Sequence, residues 1–374
     1  MRVLMLSKAC VVGIYQRKLE EIARLGVDLT VVVPPSWRDE RGDMPLERTY
    51  TSGYRLVVNP IRLNGQFHLH YYPGLARWFD PKPDVVHIDE EPYNLATWQA
   101  LRLARRAGAK TVLFSWQNLA RLYPLPFALG EQWALAHTDY LIAGTEGAAA
   151  VWRGKGYGGP LAVIPQFGVD ANLFRPLEKP ITGRTRTLGF VGRLVPEKGV
   201  EVLLRAGAQL LERGLHQWRL DIVGGGPQRA ALERLAGALG LSEHVTFAGQ
   251  LPSTQMPAFY RQLDVLIAPS LTRPNWQEQF GRVLIEAMAC GVATVGSDSG
   301  AIPDVIGDSG LITPEGDVTA LSHALRRLLQ DDDLRHDLGQ RGRARVLAKF
   351  TQVQVAARTV EVYRALTGES VTPA

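Results

Sequence analysis

Two glutamates, Glu278 and Glu286, stand with seven residues between them in NWQEQFGRVLIEAMACG, 275–291. A carboxylate is a pure acceptor, so such a pair suits the hydroxyls of a sugar or a ribose. Between them lie Gln279, Phe280, Gly281, Arg282 and Val283, where the backbone N–H groups of Phe280 and Gly281 are expected as further donors. Upstream, GRLVPEKG sets Arg193 at a strand end and Lys198 at a helix start, flanked by Gly192 and Gly199. Two cations beside a helix N-terminus suit a diphosphate, because the dipole and the unbonded N–H groups add to their charge. VGGGPQ supplies Gly224 and Gly225, where backbone can approach a ligand, and FAGQLP supplies Gln250 and Leu251 at another strand end, where a base could lie. Each feature has a plainer reading: solvated Arg and Lys in a turn, a tight turn with no ligand, a Glu278 that caps a helix, and a Glu286 in solvent.

The elements that must hold these residues read as α/β. In the first half RVLML, DLTVVVPP, PDVVHI, KTVLFS and DYLIAG are strand-like, with helices over 15–25 and 93–106. The pattern restarts with TLGFVGRL, WRLDIVGGG, HVTFAG, DVLIAPS and VATVGS, again with helices between. Short apolar runs alternating with amphipathic helices imply βαβ units and parallel sheets. Parallel sheets bind ligands at the carboxyl ends of their strands, at a switch in strand order, which is where all four motifs fall. The expected domains are 1–170 and 180–350, joined by the Pro/Gly-rich IPQFGVDANLFRPLEKPITG, with a closing helix within 351–374. Residues 37–53 read as a long polar loop. The acidic run Asp331–Asp333 reads as a helix start and not a metal site.

At 374 residues, 46% hydrophobic and 21% charged, the chain suits a two-domain globular enzyme. No apolar run approaches a membrane span, and MRVLMLSKACVV reads as a buried strand and not a signal peptide. Two cysteines, Cys10 and Cys290, fit neither a disulfide framework nor a metal cluster, so the cytoplasm is the expected compartment. Net charge is +5; Met1 to Arg175 carries 20 basic and 16 acidic side chains, leaving 22 and 21 beyond it. The excess lies in the first half, where Arg102, Arg105 and Arg106 share a helical face. That face is either simply solvated or drawn to an anionic membrane surface. No recognition motif for nucleic acid accompanies it. HIDEEPYN sets His87, Glu90 and Glu91 after a buried strand, where a carboxylate could orient or deprotonate an acceptor hydroxyl. Trp116, Gln117 and Asn118 in FSWQN could stack on and hydrogen-bond a sugar, or the tryptophan could cap the sheet.

GRLVPEKG, VGGGPQ, APS, EQFGRVLIEAMACG and SGAIPDVI, in this order and spacing, resemble the retaining glycosyltransferases of family 4, which have the GT-B fold. The resemblance implies two facing Rossmann-like domains, the second holding a UDP- or GDP-linked sugar and the first a glycan or lipid-linked acceptor. It implies that Glu278 holds the donor sugar, Glu286 the ribose, and Arg193 and Lys198 the diphosphate, with no cofactor or metal required. It also implies that the final helix returns to the first domain, and that Gly13 in KACVVGIY lies near the donor. The first half departs from the family. Gly13 stands where relatives often carry Gly-Gly, and Trp116 where many carry a histidine. Two alternatives remain at this point. One is a Rossmann oxidoreductase, against which Arg229 replaces the third glycine of the dinucleotide fingerprint. The other is a non-catalytic binder of sugar nucleotides.

Overall fold

The computed structural model describes residues 1–39, 42–177 and 185–369. The chain divides into two compact units, Met1–Gly168 together with the segment from Gln352, and Val169–Thr351.

The first unit runs β1 (Arg2–Leu6), α1 (Arg17–Arg24), β2 (Asp28–Val33), β3 (Ser36–Asp39), β4 (Gly42–Pro45), β5 (Arg55–Val58), β6 (Val85–Ile88), α2 (Leu95–Ala107), β7 (Lys110–Ser115), α3 (Phe127–Ala136), β8 (Tyr140–Ala143), α4 (Glu146–Gly154) and β9 (Leu161–Val163). Seven strands form one sheet in the order β5-β2-β1-β6-β7-β8-β9, and every pairing is parallel. Beyond exposed Arg2, β1 and β6 at its centre are buried, as a sheet covered on both faces requires. The last helix, α12 (Gln352–Thr367), packs Val355, Val360 and Tyr363 into the same core as Leu19 and Ile22 of α1.

The second unit runs β10 (Arg186–Val191), α5 (Val200–Glu212), β11 (Trp218–Val223), α6 (Arg229–Ala238), β12 (Val245–Gly249), α7 (Met256–Tyr260), β13 (Val265–Ala268), α8 (Arg282–Ala289), β14 (Ala293–Ser297), α9 (Ile302–Ile306), β15 (Leu311–Thr313), α10 (Val318–Gln330) and α11 (Asp332–Lys349). Six parallel strands lie in the order β12-β11-β10-β13-β14-β15. Leu188, Ile222, Val265 and Val295 pack under Leu204 of α5 and Leu325 of α10. In both units strand order reverses beside the first strand, at β1/β6 and at β10/β13. Each reversal opens a crevice at the strands' carboxyl ends.

Several expectations need correction. The loop expected over 37–53 contains an antiparallel hairpin, β3 with β4. Strands β5, β9 and β15 are short edge elements that the apolar-run reading passed over. So did α3, α4 and α9, although Thr145 caps α4 by accepting from Ala148 N at 3.3 Å. The expected linker is packed over its first part, since Ile164, Phe167, Val169 and Phe174 are buried; its residues 178–183 lie outside the described residues. Asp331 caps α11 by accepting from Leu334 N at 2.8 Å, so the acidic run does begin a helix.

Tyr363 anchors α12: its hydroxyl shares a 2.6 Å hydrogen bond with His87 Nδ1 inside the core. His87 Nε2 is buried without a hydrogen-bond partner, so Tyr363→Phe leaves the ring with neither nitrogen paired. That change should lower stability by about 1–2 kcal/mol. Urea unfolding checks it, and an unchanged midpoint would show that the bond contributes nothing.

Candidate active site

In the second unit the crevice lies between the loops that follow β10 and β13. Leu271 N donates to Glu197 O at 2.8 Å and ties these loops together. Gly199, at φ +66°, sits so close to Pro269 that a Cβ would lie 1.9 Å from its carbonyl oxygen. Only glycine permits that approach. The result brings Lys198 onto Glu278, Nζ to Oε2 2.5 Å. Ser270 Oγ donates to the same carboxylate oxygen at 2.9 Å, and the ammonium lies 4.9 Å from the centre of the Trp276 ring. Glu278 does not cap α8, whose N-cap is Gly281 in the left-handed region. The helix-capping reading of Glu278 therefore fails.

Glu286 lies in the second turn of α8 and is buried. Tyr260 Oη donates to its Oε2 at 2.8 Å and Arg282 Nε to its Oε1 at 2.7 Å, so the solvent-exposed reading fails too. Burial, reinforced by the charge of Glu286, pushes the Tyr260 hydroxyl far above its usual range and keeps it a donor. Leu284, Ala287 and Met288 face the core as expected.

The loops after β10 and β11 interlock. Gly192 N donates to Val223 O at 3.0 Å and Leu194 N to Gly225 O at 2.9 Å. A Cβ on Gly224 would lie 1.8 Å from Gly192 O, so loop packing by itself already requires that glycine. Gly225 instead faces the amide of exposed Gln250, with Leu251 half-buried next to it. Arg193 projects from this interlocked turn and is exposed, as is Gln279. Val283 is half-buried. The Phe280 ring packs edge-on against Phe350 with centroids 5.8 Å apart, so a ligand-side role falls to its backbone.

In the first unit the β1/β6 crevice is also spanned by polar contacts. Ser7 Oγ donates to Asp89 Oδ2 at 2.5 Å, and Gln166 Nε2 to Asp89 Oδ1 at 2.8 Å. The Lys8 ammonium is ion-paired with Glu90 and also lies 4.8 Å from the Phe67 ring centre. Burial acts to raise the Glu90 carboxyl, but Lys8 and His70 outweigh it and hold the group at about 2. Glu91 goes the other way. Its carboxylate turns inward to accept from Ser115 Oγ at 2.5 Å and Trp116 N at 2.8 Å. Burial prevails over those bonds and pushes it up to about 7. The sequence did not distinguish these neighbours; the structure shifts them in opposite directions.

In the first unit the histidine expectation is corrected, the capping alternative for Trp116 is the one observed, and Gly13 has a partner within the unit. His87 is buried within β6 against Tyr363, and burial holds its imidazole far below the usual range, so it is a neutral packing residue. Trp116 caps the sheet: its indole donates to Gln166 Oε1 at 2.7 Å and covers Gly144, where a Cβ would meet the ring at 2.2 Å. Gly13 N donates to the carboxylate of Glu47 at 2.6 Å, so an acidic side chain occupies the place expected for a donor. Gln117 donates to Leu119 O at 3.0 Å, while its Oε1 is buried without a hydrogen-bond partner. Asn118 is nearly buried. Sequence reasoning missed Lys8, Ser270, Tyr260 and Trp276. Lys8 was findable, since SKAC follows β1 as GRLV follows β10.

Residues 14–166 match the glycosyl transferase 4-like domain and residues 176–345 the glycosyl transferases group 1 model. The chain is 34% identical over 358 residues to a GDP-mannose-dependent alpha-(1-6)-phosphatidylinositol monomannoside mannosyltransferase of Mycolicibacterium smegmatis, covering 90% of each. It is 36% identical over 198 residues to a D-inositol 3-phosphate glycosyltransferase of Corynebacterium jeikeium, a stretch that is 48% of this chain and 46% of that protein. Sucrose-phosphate synthase from Thermosynechococcus elongatus superposes with a TM-score of 0.71 at 23% identity, over 99% of this chain and 100% of that one. HepE from Anabaena, solved in complex with UDP, gives 0.71 at 20%, over 98% and 100%. These two fix the fold as GT-B. The chain belongs to glycosyltransferase family 4, and the oxidoreductase reading falls with that assignment.

The pH dependence of stability tests the first-unit electrostatics. The unfolded chain releases the Glu91 proton near 4.5, whereas the folded protein holds it to about 7. Stability should therefore fall as pH rises through that window, by up to about 3 kcal/mol. Glu91→Gln should flatten the fall in urea unfolding series from about pH 5 to about pH 8. An equal slope in both proteins would contradict the assignment.

Proposed function

We propose that the protein moves a hexose from a UDP- or GDP-linked donor to a glycan or lipid-linked acceptor, with retention and without a divalent metal. The observation that carries this reading is the Lys198–Glu278 pair at the β10/β13 crevice of the second unit. A diphosphate would draw Lys198 away from the carboxylate, and donor-sugar hydroxyls would replace the ammonium on Glu278. Arg193 and Lys198 would then stabilise the charge that develops on the departing nucleoside diphosphate, the task a metal performs elsewhere. Glu286, held by Tyr260 and Arg282, is the proposed ribose ligand. Glu91 is the proposed acceptor-side proton carrier, with Gln117 and Asn118 as acceptor contacts. Retention rests on family membership, and no nucleophile is assigned.

The substrate classes are supported by relatives and neighbours. One relative is named for GDP-mannose and a phosphatidylinositol mannoside, and one structural neighbour was solved with UDP. Among the described residues no helix is long and apolar enough to cross a membrane. A lipid-linked acceptor and the basic first half support peripheral association at the inner membrane face.

The test is release of nucleoside diphosphate from a panel of nucleotide sugars with membrane extract as acceptor source. Wild-type protein should release it, and Glu278→Ala should lower the rate at least about a hundredfold while remaining folded. Full activity in the variant would overturn the site; no release from any donor would favour the non-catalytic binder.

A further inference from the structure

We propose that the segment 119–129, together with the basic face of α2 beside it, is the surface by which this protein meets an anionic bilayer. The lipid-acceptor reading above gives the contact its purpose. The geometry argues for it separately.

Leu122, Leu125 and Leu129 are 99%, 70% and 60% exposed. A single surface leucine needs no account, but three large aliphatic side chains within one short stretch form an apolar projection. The same stretch also carries packed aromatic rings. Tyr123 packs on Tyr93 with centroids 4.3 Å apart, and Phe127 packs on Trp98 at 6.2 Å. Tyrosine and tryptophan are the side chains suited to headgroup depth, apolar at one end and wet at the other.

The charge on this surface has one sign. Helix α2, LATWQALRLARRA, carries no acidic residue, and its Arg102, Arg105 and Arg106 are exposed. Over 119–136 the one acidic residue is Glu131, which is buried and accepts from Lys155 Nζ at 2.7 and 2.9 Å. The Arg102 guanidinium lies 5.7 Å from the centre of the Trp133 ring on α3, so the basic face and the leucine-bearing segment are continuous. Apolar insertion plus a cationic flank is the pair of signals that peripheral bilayer binding needs. A second copy of the chain fits less well. A two-fold contact through this patch would bring two faces of the same charge sign together.

The experiment is flotation of the full chain with phosphatidylglycerol-rich vesicles and with pure phosphatidylcholine vesicles. Its control is thermal shift by UDP and GDP. Wild-type protein should float with the anionic vesicles and less as salt is raised. The variant L122E/L125E should partition about tenfold more weakly while keeping the wild-type nucleotide shift. Failure of the wild type to float, or equal flotation of the variant, overturns the proposal. So does a leucine-dependent dimer in sedimentation with no vesicle binding. If flotation behaves as expected but neither nucleotide shifts the melting, the glycosyltransferase reading is what fails, and the bilayer surface stands.

Discussion

An ammonium and a carboxylate held 2.5 Å apart at the edge of a parallel sheet are the constraint on which the second unit is organised. Both groups are mostly shielded from water, so removing either leaves a charge with poor solvation. Holding them there takes a left-handed glycine against a carbonyl, a loop-to-loop hydrogen bond and the Ser270 hydroxyl. These devices have no evident benefit for the hydrophobic core beneath. They make sense as a preorganised donor and acceptor that a charged, hydroxyl-rich ligand can take over together, exchanging one ion pair for two sets of contacts.

The same topology acts in the first unit with a different outcome. At β1/β6, Lys8 reaches Glu90 closely and only weakly influences Glu91, and the two neighbouring carboxyls separate to about 2 and about 7. One is held as a buried anion, while burial favours the protonated form of the other. Lys8 and His70, both in contact with Glu90, supply the asymmetry. Three other residues of that face are committed to internal contacts. His87 serves α12, Trp116 covers Gly144, and the Gly13 amide is taken by Glu47.

The central sheet strands were legible because a parallel strand covered on both faces is a largely continuous apolar run, and β1, β2, β6, β10 and β13 read that way, whereas β11 alternates through Arg219 and Asp221. Edge strands such as β9, with three half-buried residues, lack that run. The hairpin β3/β4 is polar and escaped for the same reason. For the site, residue types and spacing pointed to Glu278, Glu286, Arg193 and Lys198, but their partners could not be read. Lys198 meets Glu278 across 80 residues, and Tyr260 meets Glu286 across 26. Burial, which raises Glu91 and silences His87, is likewise a property of the assembled layers and not of local sequence. The glycines were legible as unusual, but Gly224 proved to be required by a neighbouring loop.

The most direct measurement is a crystal structure of the protein with a UDP- or GDP-linked sugar bound. The account predicts that the diphosphate lies within hydrogen-bonding reach of Arg193 and Lys198, with the sugar hydroxyls on Glu278 and the ribose on Glu286. A ligand seated elsewhere, with the Lys198–Glu278 contact unbroken, would contradict it.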